Sequence, residues 1–304
     1  MVIGTTGFFD GVHRGHLSVI KSVCSLAKEC RGRSVVVTFW PHPRAVLQQD
    51  AAKFRLLTTL DEKRNLIRSY GIDEVVVLPF NKDFASQTTE EFFEKYLVEM
   101  LGIETLVVGY DHHVGSDVNQ TQEEMFRIAR MCGITPIRID ECTTDEVESK
   151  ISSTRIRDFI ERGRVEEANI LLGYRYGLEG AVVEGRRIGR TMGFPTANIR
   201  LYEPLKLLPD DGVYIVWVEY AGKTYRGITN IGTRPTIGSG NERTIETHLL
   251  DFDEDIYGLS IKIEFVSRLR SERRFESIEQ LKEQIGKDKE SCYRIIPDIN
   301  VNLR

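Results

Sequence analysis

The chain lacks the features that mark membrane, secreted and zinc-bound proteins. Its 304 residues contain no apolar run near the roughly 18 residues that cross a bilayer, and no N-terminal basic segment followed by an apolar stretch. The five cysteines are an odd number without a Cys-x-x-Cys pair, which argues against a disulfide framework or zinc site and for a reducing, cytoplasmic location. An excess of positive charge is also missing.

The net charge of −5 and the pI of about 5.8 predict no general attraction to nucleic acid or acidic membranes. Any polyanion that this protein binds must therefore be held by a local site. What the chain does have is 41% hydrophobic and 29% charged residues, as in ordinary globular proteins, and a length that suggests two domains.

A candidate local site lies at the start of the chain, in Gly7–His16. An apolar stretch typical of a buried strand precedes it, and a helical stripe with spacings of three and four residues follows it. Free backbone N–H groups and the positive end of a helix dipole meet at such a turn and bind anions. Gly15 would let a phosphate approach the backbone, which favours a triphosphate site. The alternative is an ordinary turn with two surface histidines, His13 and His16.

The first half of the chain alternates strands with helices, which predicts βαβ units and a Rossmann-like, doubly wound parallel sheet. Ligands of such sheets lie beyond the carboxyl ends of the strands. Three unusual loops, around His13, His42 and Asp111, each follow a predicted strand, so we expect them to converge on one edge. The first predicted strand ends near Gly4, and the others comprise 33–39, 73–78, 105–108 and 134–139. The predicted helices include 60–70 and 120–132, and Thr89 is the predicted N-cap of another helix that lies between these two in the sequence.

A further helix opens at Ile151–Arg157. The hydroxyl groups of Ser152, Ser153 and Thr154 are commonly just helix caps. Arginine in a first helical turn opposes the helix dipole, however, so Arg155 and Arg157 suggest a bound anion.

The pattern changes near residue 176 to a period of two, with turn residues about every ten positions. This spacing predicts an antiparallel barrel or sandwich, followed by an amphipathic helix over 277–290. We place the domain boundary near 173–177, giving domains 1–174 and 175–304. The candidate strands are 178–184, 196–199, 213–220, 224–231, 244–250 and 260–265.

The second half carries its own polar residues. Gly180, Gly185, Gly189 and Gly193 accompany arginines such as Arg190, and together they could form an anion cradle, although a plain glycine-rich hairpin is the alternative.

Thr196 and Asn198 lie two residues apart, so on a strand they share a face, and their oxygens suit Mg²⁺. Glu246 could be a general base, although a solvent-facing strand glutamate is the more common reading of the residue alone.

Taken together, these stretches resemble one family, the bacterial bifunctional riboflavin kinase/FMN adenylyltransferases, also called FAD synthetases. The resemblance covers nearly the whole chain, with a departure at His113-Val114-Gly115, where many members have Arg-Phe-Gly. It rests on seven motifs in order: Gly7–His16, Thr38–Pro43, Val107–Gly115, Ile151–Arg157, Gly189–Asn198, Gly227–Pro235 and Glu246–Phe252.

The resemblance implies two reactions, with riboflavin, FMN, FAD and ATP as ligands and Mg²⁺ or a similar divalent cation as cofactor. The second half would transfer the ATP γ-phosphate to riboflavin, and the first would adenylylate the resulting FMN. The sequence does not determine an oligomeric state. Two rival hypotheses are a nucleotidyltransferase with another acceptor and a flavin-binding regulator without turnover.

The resemblance also implies roles for individual residues. The catalytic residues would be His13, His16, Arg157 and Glu246, the last as base for the ribityl proton; Mg²⁺ would be held by Thr196 and Asn198. ATP would be bound by Gly7, Phe8, Phe9, Asp10, Gly15, Ser153, Thr154, Gly180, Gly185, Gly189, Arg190 and Gly193, and the flavin by Pro41, His42, Pro43, Asp111, Arg270 and Phe275.

Overall fold

The computed structural model describes residues 1–47, 54–110, 114–117, 120–140, 151–185, 189, 193–236 and 240–297. The chain divides into two compact units, Met1–Ser153 and Thr154–Arg304. The domain boundary that we placed near residue 174 stays a prediction; Gly173, with φ of 82°, ends a helix there.

The first unit is built on a five-stranded parallel sheet in the order β3-β2-β1-β4-β5. Its strands are β1 Val2–Thr6, β2 Arg33–Trp40, β3 Glu74–Pro79, β4 Thr105–Val108 and β5 Thr135–Arg138. The helices are α1 Arg14–Glu29, α2 Pro43–Leu47, α3 Leu60–Ser69, α4 Lys82–Ala85, α5 Thr89–Phe92 with a π-helical segment Phe93–Met100, and α6 Gln122–Met131. The predicted doubly wound parallel sheet is confirmed.

Alternate side chains of the buried strands face two separate apolar clusters. In β2, Val35 and Val37 belong to a cluster with α5, the π-helical segment and α6, whereas Val36 packs with residues of α1 and α3. A strand covered on both faces reads as a continuous β-branched run, as this one does. Burial on both faces also directs polar functions to the strand ends.

The predicted helix cap at Thr89 is wrong by one residue. Thr88 is the N-cap, because its side chain accepts from the N–H of Glu91 and the Glu91 carboxylate accepts from the N–H of Thr88. Thr89 is instead buried, with its hydroxyl donating to the carbonyl oxygen of Val114 at 2.7 Å. Two adjacent threonines offered equivalent caps in sequence, and tertiary contacts separate them.

The second unit contains a closed antiparallel barrel, so the choice between barrel and sandwich is resolved. Its strand order is β10-β7-β6-β11-β8-β9. Two helices, α7 Ser153–Glu161 and α8 Val165–Leu172, precede it. The strands are β6 Gly177–Val183, β7 Ala197–Leu201, β8 Gly212–Tyr220, β9 Lys223–Thr236, β10 Gly240–Leu249 and β11 Ser260–Arg270.

The closing helix, α9 Ile278–Ile295, packs on one face of the barrel through apolar and polar contacts. Cys292 and Ile296 pack in one cluster with residues of β8 and β9. The Asp288 carboxylate accepts from the Arg270 guanidinium at 2.8 Å, and the two side chains are only 4% and 14% exposed. Arg226 of β9 donates to the carbonyl oxygens of Ile296 and Pro297, which lie past the helix end.

We expect Asp288→Asn to destabilise the second unit by about 3 kcal/mol, because it leaves a buried guanidinium without its charged partner. Urea unfolding can be followed by Trp217 fluorescence in a Trp40→Phe background, since these are the chain's two tryptophans and Trp217 lies in β8. The control is Glu283→Gln, which breaks an exposed ion pair with Lys287 on the same helix and should change the midpoint little. Equal shifts for both variants would contradict the prediction.

Candidate active sites

The turn between β1 and α1 is buried and conformationally unusual. Phe9, Gly11 and Val12 all have positive φ angles, of 48°, 82° and 36°. Such backbone is disfavoured by roughly 1–3 kcal/mol per non-glycine residue and persists where the surroundings fix it, often at functional sites. Here the apolar cluster around α1 includes both Phe9 and Val12. The turn is therefore held in one shape by packing.

His13 is the N-cap of α1, and its Nδ1 accepts a hydrogen bond from the backbone N–H of His16 at 3.3 Å. An accepting Nδ1 places the proton of a neutral imidazole on Nε2. The two imidazole rings stack with centroids 3.6 Å apart. A Cβ atom at Gly15 would lie 3.2 Å from His13 Nδ1, which explains the glycine.

The first turn of α1 has no acidic side chain. A capped helix N-terminus with two imidazoles and no competing carboxylate is suited to an anion. The structure thus brings His13, His16 and Gly15 together, as the sequence predicted.

Asp10 lies in this turn but its carboxylate is directed elsewhere. It accepts hydrogen bonds from the backbone N–H groups of Leu57 and Thr58, at 3.1 Å each, and is 3% exposed. The Ser153 hydroxyl donates to the Asp10 carbonyl oxygen at 2.9 Å. Asp10 and Ser153 therefore fix the turn against two other segments of the first unit.

The loop after β2 also reaches this region. The His42 ring lies between Phe8 and Phe54, with centroid distances of 5.4 and 4.4 Å. Pro43 begins α2, and Pro41 is exposed beside it. The loops after β1 and β2 thus converge on one sheet edge. Asp111 lies outside the described residues, so the third loop is described only to Tyr110.

α7, which begins at Ser153, carries two further residues that the resemblance assigns to the first reaction, Thr154 and Arg157. Thr154 is exposed, whereas Arg157 is buried one turn further along. The first turn of this helix also lacks an acidic side chain.

Lys63 of α3 was missed by the sequence analysis. Its ammonium donates to the carbonyl oxygens of Phe8 and Phe39 at 3.0 and 3.4 Å, and the side chain is 4% exposed. Burial lowers the pKa of Lys63 to about 8, an effect that the Asp10 carboxylate opposes. A faint signal existed in the spacing, because Leu60, Lys63 and Ile67 fall on one helix face.

In the second unit, Glu246 of β10 lies between two carboxamides. It stands opposite Asn198 of β7 on one side and Asn230 of β9 on the other. Directly paired residues of antiparallel strands share a face, with Cβ atoms about 5 Å apart. The structure therefore brings Glu246 and Asn198 together, and it adds Asn230, which sequence analysis overlooked.

Thr196 precedes β7 and is not part of it, because the strand begins at Ala197. A Cβ atom at Gly189 would overlap the Phe194 carbonyl oxygen and would lie 3.3 Å from the Thr196 hydroxyl. A Cβ atom at Gly185 would overlap the Asn198 carboxamide. Glycine is thus needed at 189 for close approach of the backbone and at 185 for close approach to the Asn198 side chain.

The remaining glycines of that set differ in position. Gly193 is exposed and has φ of 86°, as a turn requires. Gly180 lies within β6 and pairs with Ile261 and Leu201. It therefore belongs to the strand ladder and not to the hairpin. Arg190, like Arg186 and Arg187, lies outside the described residues.

Arg270 is held by Asp288, as described above, and its guanidinium carbon lies 5.9 Å from the centroid of the Phe275 ring. The two predicted flavin contacts of the second half are therefore neighbours at the end of β11. His248 lies in β10, two residues after Glu246. Its Nδ1 is 2.7 Å from the Pro195 carbonyl oxygen, and this contact fixes the segment before Thr196.

The described residues contain no group of three His, Cys, Asp or Glu side chains placed to hold a metal ion. Oxygen donors of the barrel site come from a hydroxyl, two carboxamides and one carboxylate. This donor set matches the preference of hard divalent cations for oxygen, usually with waters completing the shell.

Comparison with known proteins identifies the class. The family model for FAD synthetase matches residues 1–155, and that for riboflavin kinase matches residues 172–296. The bifunctional riboflavin kinase/FMN adenylyltransferase of Bacillus subtilis is 39% identical over 296 residues, covering 96% of this chain and 92% of the relative. The Escherichia coli K12 protein of the same description is 37% identical over 291 residues, covering 93% and 89%.

A crystal structure from Streptococcus pneumoniae, described as a macrolide-efflux protein, matches with a TM-score of 0.88 and 33% identity, covering 96% of this chain and 93% of that one. In the described part of this chain, no helix has the length and apolar character needed to span a bilayer.

A nucleotidyltransferase-type sheet joined to a six-stranded barrel defines a class of two-domain transferases. The chain belongs to the family of bifunctional riboflavin kinase/FMN adenylyltransferases. The resemblance, the fold class and the enzyme class predicted from the sequence are confirmed. The roles given to individual site residues stay predictions.

We expect Asp10→Ala to destabilise the first unit by about 3 kcal/mol, because two buried N–H groups lose a charged acceptor. Unfolding can be followed by Trp40 fluorescence in a Trp217→Phe background. The matched control is Asp61→Ala, which removes a carboxylate that is 87% exposed on α3 and should change the midpoint little. An effect no larger than that of the control would show that Asp10 does not anchor the turn.

Proposed function

We propose that the two reactions of the family are divided between the two polar clusters described above. The barrel site phosphorylates riboflavin to FMN with ATP. The site at the β1–α1 turn transfers AMP from a second ATP to FMN, giving FAD and pyrophosphate. One observation carries this division: each family-matched half assembles its own cluster, His13 with His16 in one and Glu246 with Asn198 in the other.

Adenylyl transfer requires no protein nucleophile. A phosphate oxygen of FMN attacks the α-phosphorus of ATP, and the bond from that phosphorus to the bridging oxygen of pyrophosphate breaks. The protein has to position the two phosphates and stabilise the charge that develops. We assign this role to His13, His16 and the α1 N-terminus. The phosphate contacts that the resemblance implies for Ser153, Thr154 and Arg157 stay predictions. The His42 and Phe54 rings are the proposed contact for the flavin.

Phosphoryl transfer to an alcohol does release a proton. We assign Glu246 as the base that accepts it from the ribityl 5′-hydroxyl, while that oxygen attacks the γ-phosphorus and ADP leaves. Asn198 and Asn230 stand opposite Glu246 on the neighbouring strands, and the Asn230 carboxamide donates to the Glu272 carboxylate at 2.9 Å. Phe275 and Arg270 are the proposed flavin contacts at the neighbouring end of β11.

Mg²⁺ fits the barrel site because Thr196 and Asn198 offer hard oxygen donors, the ligands that such cations prefer. When bound there, the ion would neutralise phosphate charge, with Thr196 and Asn198 as its protein ligands.

The direct test is to incubate the protein with riboflavin, ATP and Mg²⁺ and to separate the flavins by chromatography. We expect FMN first and FAD later. FMN alone would mean that the first unit uses another acceptor or is inactive. Neither product would contradict the proposal and favour a binding protein without turnover.

We expect His16→Ala to slow FAD formation from FMN by roughly 10²–10³, the effect of removing one donor to a developing anion. FMN formation from riboflavin should continue at the wild-type rate, which serves as the internal control for protein concentration and folding of the barrel. A parallel fall in both rates would mean that the two sites are not separate.

We expect Glu246→Gln to slow FMN formation by roughly 10²–10⁴, the range for loss of a general base. The carboxamide keeps the shape of the side chain, so the barrel should stay folded, and FMN supplied directly should still become FAD. A rate of FMN formation close to that of wild type would exclude Glu246 as the base.

A further inference from the structure

Near the β1–α1 turn, a buried lysine and a buried aspartate, Lys63 and Asp10, interact electrostatically. The Lys63 ammonium donates to the carbonyl oxygen of Phe8 in the turn and to that of Phe39 at the end of β2. It also lies 5.9 Å from the centroid of the Trp40 ring. Lys63 therefore connects the loop that carries the histidines with the loop that carries His42.

The charged group that acts on Lys63 is the Asp10 carboxylate. The groups of β2 near Lys63 are the Phe39 carbonyl oxygen and the Trp40 indole ring, and neither gains or loses a proton near neutral pH. On α3 itself, the Glu62 carboxylate is occupied by the backbone N–H of Thr59 at 2.8 Å. Asp10 and Lys63 are both at most 4% exposed, so solvent screens their charges weakly.

We propose that Lys63 is a positioning residue of the adenylyl-transfer site, whose positive charge offsets Asp10 and so lets the turn accept the ATP triphosphate. The turn needs the Asp10 carboxylate to hold Leu57 and Thr58, yet a buried negative charge next to a phosphate site repels the ligand. Lys63 resolves this conflict as a fixed charge, because its ammonium is held by the backbone carbonyl oxygens of Phe8 and Phe39. The inference rests on the proposed function of the first unit.

The charge also makes the site dependent on pH. Below pH 8 the Lys63 ammonium is charged and offsets Asp10. As the pH rises through the Lys63 pKa of about 8, the ammonium loses its proton and the Asp10 charge is left uncompensated. The affinity for ATP should therefore fall on the alkaline side.

The test is the KM for ATP in FMN adenylylation, measured from pH 6.5 to 9.5 alongside the KM for FMN. Lys63→Met should raise the KM for ATP about tenfold, the order expected when one weakly screened charge near a phosphate is removed. The double variant Lys63→Met with Asp10→Asn removes both charges and should bring that KM back to within about threefold of wild type. Lys63→Arg keeps its charge at high pH, so its KM for ATP should not rise on the alkaline side as that of wild type does.

A purely structural role for Lys63 predicts a different result. The double variant would then be no better than Lys63→Met, and the pH profile of wild type would match that of Lys63→Arg; either outcome overturns the inference. Lys21→Met, on the exposed part of α1, is the control for removal of a lysine charge far from the turn.

Failure of the proposed function would look different from failure of this inference. If wild type forms FMN but no FAD, both the proposed adenylyl transfer and this inference are contradicted. If wild type forms FAD normally and the KM for ATP does not change when the charges at positions 10 and 63 are removed, the inference alone is contradicted. Thermal midpoints of all variants, followed by Trp40 fluorescence in the Trp217→Phe background, distinguish lost charge from lost folding.

Discussion

The hydrogen bonds of the Asp10 carboxylate determine the geometry of the first site. They join the β1–α1 turn to a segment 47 residues further along the chain, and they do so in the protein interior, where an unsatisfied N–H group is costly. With the turn fixed, Phe9 and Val12 can hold their left-handed backbone, His13 can cap α1, and His16 can stack on it. The histidines are therefore positioned by a residue whose carboxylate is bonded to backbone N–H groups of another segment.

The two sites are built by different means. In the first unit, the ends of parallel strands and the start of a helix place side chains from separate loops at one edge. In the barrel, Glu246 is placed by ladder pairing alone, because register sets which residues stand opposite each other. Positions of β10 offset by one residue, such as Thr247, face the other side and are fully buried. A shift of register by one residue would thus exchange a carboxylate for a core hydroxyl.

Much of this arrangement could be predicted from the sequence, because it depends on local patterns. Period, strand-end prolines and glycine spacing indicated the parallel sheet, a barrel or sandwich and the turn at His13, whereas the role of Glu246 was implied only by the resemblance to the family. For Lys63 local patterns gave only a faint signal, since a lysine in Asp-Glu-Lys-Arg reads as solvent-facing, and its burial depends on how α3 docks against two strand ends. Gly180 had been grouped with the glycines of a possible anion cradle, although it falls in the predicted strand 178–184; its pairing with Ile261 and Leu201 confirms the strand. Asn230 became visible only through its cross-strand neighbour.

The order of strands in the first sheet bears on how the protein folds during synthesis. β1 is the earliest strand in the sequence, but it is the central strand of the sheet, paired with β2 on one side and β4 on the other. Its second edge therefore stays open until residues 105–108 have been made. An apolar, unpaired edge is prone to pair with other chains, so the nascent first unit is exposed to aggregation over about a third of the chain's length. The long-range contacts that complete this edge are also of the kind that slow folding.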